Sequence, residues 1–177
     1  MFLHLSFNRF AVLCAVFALF ISEFAGAASL PAAGGSTQAS PVSNKAITLD
    51  VFKSPTCMCC EKWIAHLQAH GFQTTVHHPA DLNQEKASRG IKPKYQSCHT
   101  AVSKDGYVFE GHIPAAVIQR FLTEKPKDAI GLAVPGMPMG SPGMEMGDHI
   151  NPYDVLLLKA DGSSAVYAQI TSIDQQH

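Results

Sequence analysis

The segment Thr56-Cys57-Met58-Cys59-Cys60-Glu61 places three cysteines within four residues, and Cys98 follows downstream as a lone fourth. Cys57 and Cys60 have the C-x-x-C spacing of a redox motif, Cys57 and Cys59 form C-x-C, and Cys59 and Cys60 are adjacent. At a helix start such thiols are shifted toward thiolate at neutral pH. Thiolates at this density serve as redox groups or as soft-metal ligands. Structural stapling accounts for them less well: adjacent Cys59 and Cys60 scarcely pair with each other without strain, and a domain of this size does not need staples. A Cys57–Cys60 bridge with a Cys59–Cys98 bridge stays open, as does thiol–disulfide exchange through Cys57 and Cys60.

The choice of metal follows from spacing and charge. A structural zinc site separates its cysteines so that four ligands reach tetrahedral corners without strain. Adjacent cysteines fit one such ion poorly, but they can serve two or more ions with bridging sulfurs. Four thiolates around one Zn²⁺ leave net negative charge, whereas several Cu(I) ions are neutralised by them, and soft sulfur favours Cu(I). Cys57, Cys59, Cys60 and Cys98 therefore point to a multinuclear copper site.

A second sulfur-rich stretch, Gly136-Met137-Pro138-Met139-Gly140-Ser141-Pro142-Gly143-Met144-Glu145-Met146, holds four of the six methionines. Methionine ordinarily fills cores, but this stretch has too much glycine and proline for a helix and no apolar period. Thioethers bind Cu(I) without deprotonation, which makes Met137 and Met144 candidate ligands on a loop that closes over the thiols when copper is bound. Among the histidines, His99 is the best candidate because it neighbours Cys98. His112 and His149 rank below it, and His77 and His78 end a strand and read as solvent-facing.

These residues need elements to position them. Alternation and β-branched content over 46–52 predict a strand. Ser54-Pro55-Thr56 breaks it, and a helix starts at the cysteines and runs through Trp63, Ile64 and Leu67 to a cap at Gly71. A second strand follows over 72–77 and a polar helix over 82–89. Strands at 100–102 and 107–109 flank the hairpin turn Lys104-Asp105-Gly106, and Pro114 opens a helix through Val117, Ile118, Phe121 and Leu122. This order, β-α-β-α-β-β-α, is a thioredoxin-like α/β domain. A Met/Gly/Pro-rich C-terminal extension covers 129–151, and strands at 153–158 and 165–170 around Ala160-Asp161-Gly162 make a terminal β-hairpin. In a thioredoxin-like fold C-x-x-C sits at the start of the first helix, where Cys57 and Cys60 fall. His99 stands where thioredoxins carry a cis-proline, so Cys98 is predicted to face the first cluster across the site.

The remaining chain supplies an address. Residues 1–27 read as a cleavable signal peptide, with Arg9 before an apolar run too short for a membrane span and Ala25-Gly26-Ala27 as the cleavage site. Residues 28–45, rich in Ser, Pro, Gly and Ala, read as a disordered tether, and 46–177 as the folded domain. Export puts the thiols in a disulfide-permissive compartment, where metal binding protects them. A net charge of −1 gives no electrostatic footprint for nucleic acid or for anionic lipid, so no nucleic acid and, after signal cleavage, no membrane is expected as a partner.

The C-x-C-C helix start, Gln96-Ser97-Cys98-His99-Thr100, Gly111-His112-Ile113-Pro114 and Gly131-Leu132-Ala133-Val134-Pro135-Gly136-Met137-Pro138 together resemble the CopG-type copper-resistance proteins, periplasmic proteins of Gram-negative bacteria. The resemblance covers the mature domain from about Ala46 to Ile170. It implies a thioredoxin-like domain whose C-terminal extension helps bind metal, with a cysteine-bridged copper cluster on Cys57, Cys59, Cys60 and Cys98. It also implies a setting among copper-efflux and periplasmic copper-handling proteins, and an oxidoreductase role interconverting Cu(I) and Cu(II). Met139 and Met146 are tied less tightly to the family pattern. The residues themselves also accommodate a thiol–disulfide oxidoreductase, or a passive carrier handing Cu(I) to an efflux system.

Overall fold

The computed structural model describes residues 46–176, so the signal peptide expected over 1–27 and the tether expected over 28–45 lie outside the described residues. The chain runs β1 (Ile47–Lys53), α1 (Met58–Ala69), β2 (Phe72–His77), α2 (Leu82–Ser88), a 3-10 turn (Pro93–Tyr95), β3 (His99–Ser103), β4 (Val108–Glu110) and α3 (Ala115–Glu124). It continues with β5 (Ala129–Ala133), β6 (Tyr153–Lys159), β7 (Ser164–Ile170) and a 3-10 turn (Ile173–Gln176). All seven strands join one sheet in the order β2-β1-β3-β4-β5-β6-β7. β1 lies parallel to β2 and β4 parallel to β5, while the β1–β3, β3–β4, β5–β6 and β6–β7 pairs are antiparallel.

Helix α1 forms because Cys60, Trp63, Ile64 and Leu67 recur at i, i+3, i+4 and i+7, and all four are buried. It stops where Gly71 takes a left-handed φ of 83°. Val117, Ile118 and Phe121 give α3 its own apolar stripe. Alternation along the strands divides the core between the faces of the sheet. Leu49, Val51 and Ala101 pack with α1 and α3, while the next residue in β3, Val102, packs with Val108, Ala133, Leu158, Ile91 and Tyr95. Trp63 is fully buried, and its indole N–H donates to the Ile113 carbonyl at 2.9 Å. Burying a large apolar side chain contributes roughly 1.5–3 kcal/mol, so this contact anchors the cysteine helix to the segment after β4.

Most element ends fall within a residue or two of the sequence reading, and one element is new. The Met/Gly/Pro-rich extension read over 129–151 begins with a strand the sequence reading did not assign, β5. Five residues interrupted by glycine carry no legible strand period, yet the glycine is what allows the pairing. A Cβ at Gly131 would lie 1.8 Å from the Val108 carbonyl oxygen, so only glycine lets the two backbones approach. Through β5 the terminal hairpin becomes part of the main sheet.

Candidate metal centre

The turn between β1 and α1 delivers the cysteines. Cys57 N–H donates to the Ser54 carbonyl at 3.2 Å, and Cys57 occupies the N-cap of α1 with extended backbone and no side-chain cap. Lys53, fully buried, secures the turn by donating to the Ser54 carbonyl at 2.9 Å and pairing with Glu61 at 2.7 Å. Cys57 and Cys60 are joined as a disulfide with a Cα–Cα distance of 5.4 Å, and Cys59 and Cys98 are free. The Cys98 sulfur lies 3.5 Å from that of Cys60 and 3.8 Å from that of Cys59, and Cys57 and Cys59 sulfurs are 3.5 Å apart. All four sulfurs fall within 4.8 Å of one another.

Cys98 is set by a buried polar network on its far side. Glu110 of β4 accepts from Lys86 of α2, from the Thr100 hydroxyl and, at 2.6 Å, from Ser97 N–H. Lys86 also donates to the Ser97 carbonyl at 3.1 Å. Ser97 and Thr100 flank Cys98-His99, so the carboxylate grips the dipeptide from both ends. Lys86 and Glu110 are both buried, and burial raises the Glu110 carboxyl above its ordinary range against the opposing pull of Lys86. Burial also pushes the Cys98 thiol up to about 12, with the Cys59 thiol acting in the same direction. Its sulfur is therefore protonated at neutral pH until a metal displaces the proton.

Two histidines complete the group. His99 presents Nδ1 at 3.3 Å from the Cys98 sulfur, and its Nε2 is buried without a hydrogen-bond partner. His112 directs Nε2 at the same sulfur from 3.0 Å, while its Nδ1 lies 2.8 Å from the Pro142 carbonyl. A carbonyl can only accept, so Nδ1 carries the proton and Nε2 offers its lone pair. Burial holds the His99 imidazole well below its ordinary range, with His112 and Lys86 adding to the effect. It lowers His112 as well, so both rings are neutral and fit to ligate.

The methionine loop lies on α1. Gly143 packs so closely that a Cβ would meet the Cys59 carbonyl oxygen at 2.6 Å and Trp63 N at 2.8 Å. The loop carries its own hydrogen bonds, among them Gly140 N to Met144 O at 2.9 Å, Met144 N to Ser141 O at 2.7 Å and Ser141 Oγ to Pro138 O at 2.7 Å. Gln176 Nε2 donates to the Gly140 carbonyl at 2.7 Å. These bonds hold the loop in one shape against α1. Met137 and Met144 line a cleft of about 440 Å³ whose wall includes Cys59.

The residues singled out from the sequence thus fall into two adjoining places. Cys57, Cys59, Cys60 and Cys98 converge at one point, His99 joins them through Cys98, and Met137 and Met144 adjoin them through Cys59. His149 is exposed; His77 bonds to Asp50 at 2.9 Å and His78 to the Lys53 carbonyl at 3.0 Å. His112, placed below His99 on sequence alone, joins Cys98 and His99 in one group of possible ligands. Its burial and its Pro142 contact come from segments distant in sequence, although its placement in Gly111-His112-Ile113-Pro114 was a usable signal. The donor set, four sulfurs and two neutral imidazoles, suits a soft thiophilic ion.

A model of the family described as "Protein of unknown function, DUF411" matches residues 95–144, which include Cys98, His112, Met137 and Met144. Two solved structures of a "Copper resistance protein copG" are similar to the chain. Form 1 has a TM-score of 0.67 and 43% sequence identity, covering 72% of this chain and 100% of its own. Form 2 has a TM-score of 0.68 and 42% identity with the same coverage. Comparison with curated proteins gives no match.

Proposed function

This chain belongs to the family of the CopG copper resistance proteins, and from that premise we propose that it is a periplasmic copper-binding protein that contributes to copper resistance. In this reading Cys57, Cys59, Cys60 and Cys98 hold a multinuclear copper cluster, with His99, His112, Met137 and Met144 as further ligands. The observation that carries it is the convergence of four sulfurs within 4.8 Å, two of them from adjacent residues. Such sulfurs are placed to bridge ions rather than to chelate one. Bound copper would supply one-electron chemistry between Cu(I) and Cu(II). The protein's own part is to bind and orient. Glu110 and Lys86 fix Cys98, Pro142 fixes the His112 tautomer, and the methionine loop packs on α1 beside Cys59.

The order β2-β1-β3-β4 with α1 after β1 supports the thioredoxin-like assignment of the domain. Export through the leader read over 1–27 would place the protein among periplasmic copper-handling and efflux components. The Cys57–Cys60 disulfide favours one second reading, thiol–disulfide exchange on protein substrates. Closing that bond withdraws two sulfurs from metal binding, so the oxidised protein should hold less copper than the reduced one.

An anaerobic Cu(I) titration of fully reduced protein tests the reading. More than one copper per chain, displaced by neither zinc nor washing, is the expected result. Saturation at one equivalent would sink the cluster, and tighter binding of zinc would sink the choice of metal. Catalysis of insulin disulfide reduction by metal-free protein, with no copper uptake, would favour the exchange reading.

A further inference from the structure

Every methionine of the chain except Met1 lines a single cleft: Met58, Met137, Met139, Met144 and Met146, with Cys59 in the wall. Met58 comes from the first turn of α1 and the other four from the loop that packs on it. None belongs to the buried core among the described residues, and Met58 and Met146 are 73% and 63% exposed. Methionine is ordinarily drawn into cores, so leaving all five in a solvent-open cleft has no packing rationale. Lys62 and Glu145, the charged residues of the wall, oppose each other, so the attraction this surface offers comes from sulfur and not from net charge.

We propose that this cleft is a second, outer metal site, a thioether receptor for monovalent soft cations, through which Cu(I) reaches the thiol centre. The inference rests on the copper reading of the cysteines but turns on Met58, Met139 and Met146, which that reading does not use. Thioethers need no deprotonation and prefer soft ions, whereas hard divalent cations require oxygen ligands that the cleft scarcely offers. Cys59 belongs to both places, since its sulfur lies 3.8 Å from that of Cys98. Transfer is a ligand exchange without electron movement. Cu(I) leaves thioether sulfur, bonds to the Cys59 sulfur, and the thiol proton passes to solvent. Thiolate is the stronger donor, so the exchange runs inward. Met58 makes the cleft two-sided, because it places a thioether on the helix opposite the loop.

The test uses two variants of the full chain. In the first, Cys57→Ser, Cys59→Ser, Cys60→Ser and Cys98→Ser are combined with ¹³C-methyl-labelled methionine, and Ag(I) is titrated as a redox-inert probe. The expected result is saturable movement of methyl signals including Met58. Absence of movement in this variant, folded by its amide spectrum, would overturn the proposal. Movement that occurs only with the cysteines intact would assign the thioethers to the thiol centre and overturn it equally. In the second, Met58→Leu, Met139→Leu and Met146→Leu preserve apolar volume with all cysteines present. Loading of the thiol centre with Cu(I), followed by thiolate–copper absorbance, should slow about tenfold and reach the same final absorbance. An unchanged rate would overturn the proposal even if the serine variant fails to fold. If the wild-type thiols take up no copper while the methyl signals still move, the thiol reading fails and the outer site stands.

Discussion

The Nε2 atom of His112 lies 3.0 Å from the sulfur of Cys98, aimed there by the hydrogen bond that the Pro142 carbonyl accepts from the other ring nitrogen. Metal-ligating histidines are oriented in this way, by a partner that fixes the tautomer. Replacing His112→Phe keeps a flat ring in the buried position and removes the lone pair. Copper retention against a Cu(I) chelator should fall about tenfold or more, with little change in thermal unfolding of the metal-free protein. Unchanged retention would show that His112 only packs against Cys98.

Glu110 and Lys86 make the second expectation. Glu110→Ala leaves a buried ammonium without its partner, which costs about 3–5 kcal/mol, and frees Ser97 N–H and the Thr100 hydroxyl beside Cys98. Urea unfolding should show that loss. Lys86→Met combined with Glu110→Leu removes both charges and should recover part of the stability while copper affinity stays reduced, because the grip on Cys98-His99 is gone. Full recovery of affinity in the double variant would refute the positioning role.

Gly143 offers a third. Its φ of 89° disfavours any side chain, at roughly 1–2 kcal/mol for a left-handed L-residue, and an added Cβ would press on the first turn of α1. Gly143→Ala should destabilise the metal-free domain by at least that amount and lift the methionine loop from Cys59. Faster exchange of bound copper with a chelator would register the lift. A variant with wild-type exchange would mean that the loop does not shield the thiols.

The Cys98 thiol gives a pH dependence. With its folded value near 12, Cu(I) binding must displace a proton, so apparent affinity rises with pH by about tenfold per unit for that proton. Calorimetry in buffers of different ionisation enthalpy would count the release. For the fold the sign is opposite. The unfolded thiol ionises near 8.5, so metal-free protein loses stability as pH rises from about 8.5 toward 12. Cys98→Ser should remove that portion of the alkaline loss.

How much of this could be read from residues alone depends on the range of the interaction. The turn at Ser54-Pro55-Thr56, the helix with Trp63, Ile64 and Leu67, and the hairpin at Asp105-Gly106 are local signals, and the structure has them where the sequence puts them. The approach of Cys98 to Cys60 was legible because element order placed the segment before β3 opposite the start of α1. β5 was not, since Gly131 reads as a breaker until the Val108 backbone is seen against it. Lys86 and Glu110 gave no signal either: an isolated charge reads as surface, and the pair lies 24 residues apart. The contact of His112 with Pro142 and that of Met58 with the loop methionines are encoded by no helical or strand period.

Gln176 is 3% exposed, and its amide reaches the backbone of the methionine loop at Gly140. A bond so far along the chain means that proteolytic trimming of residues 173–176 would act at a distance, loosening the shelf on which Met139 and Met144 sit while leaving the four cysteines in place. A nick there, or a bulky peptide tag fused directly after it, would be felt first as leakiness toward copper and only later as unfolding.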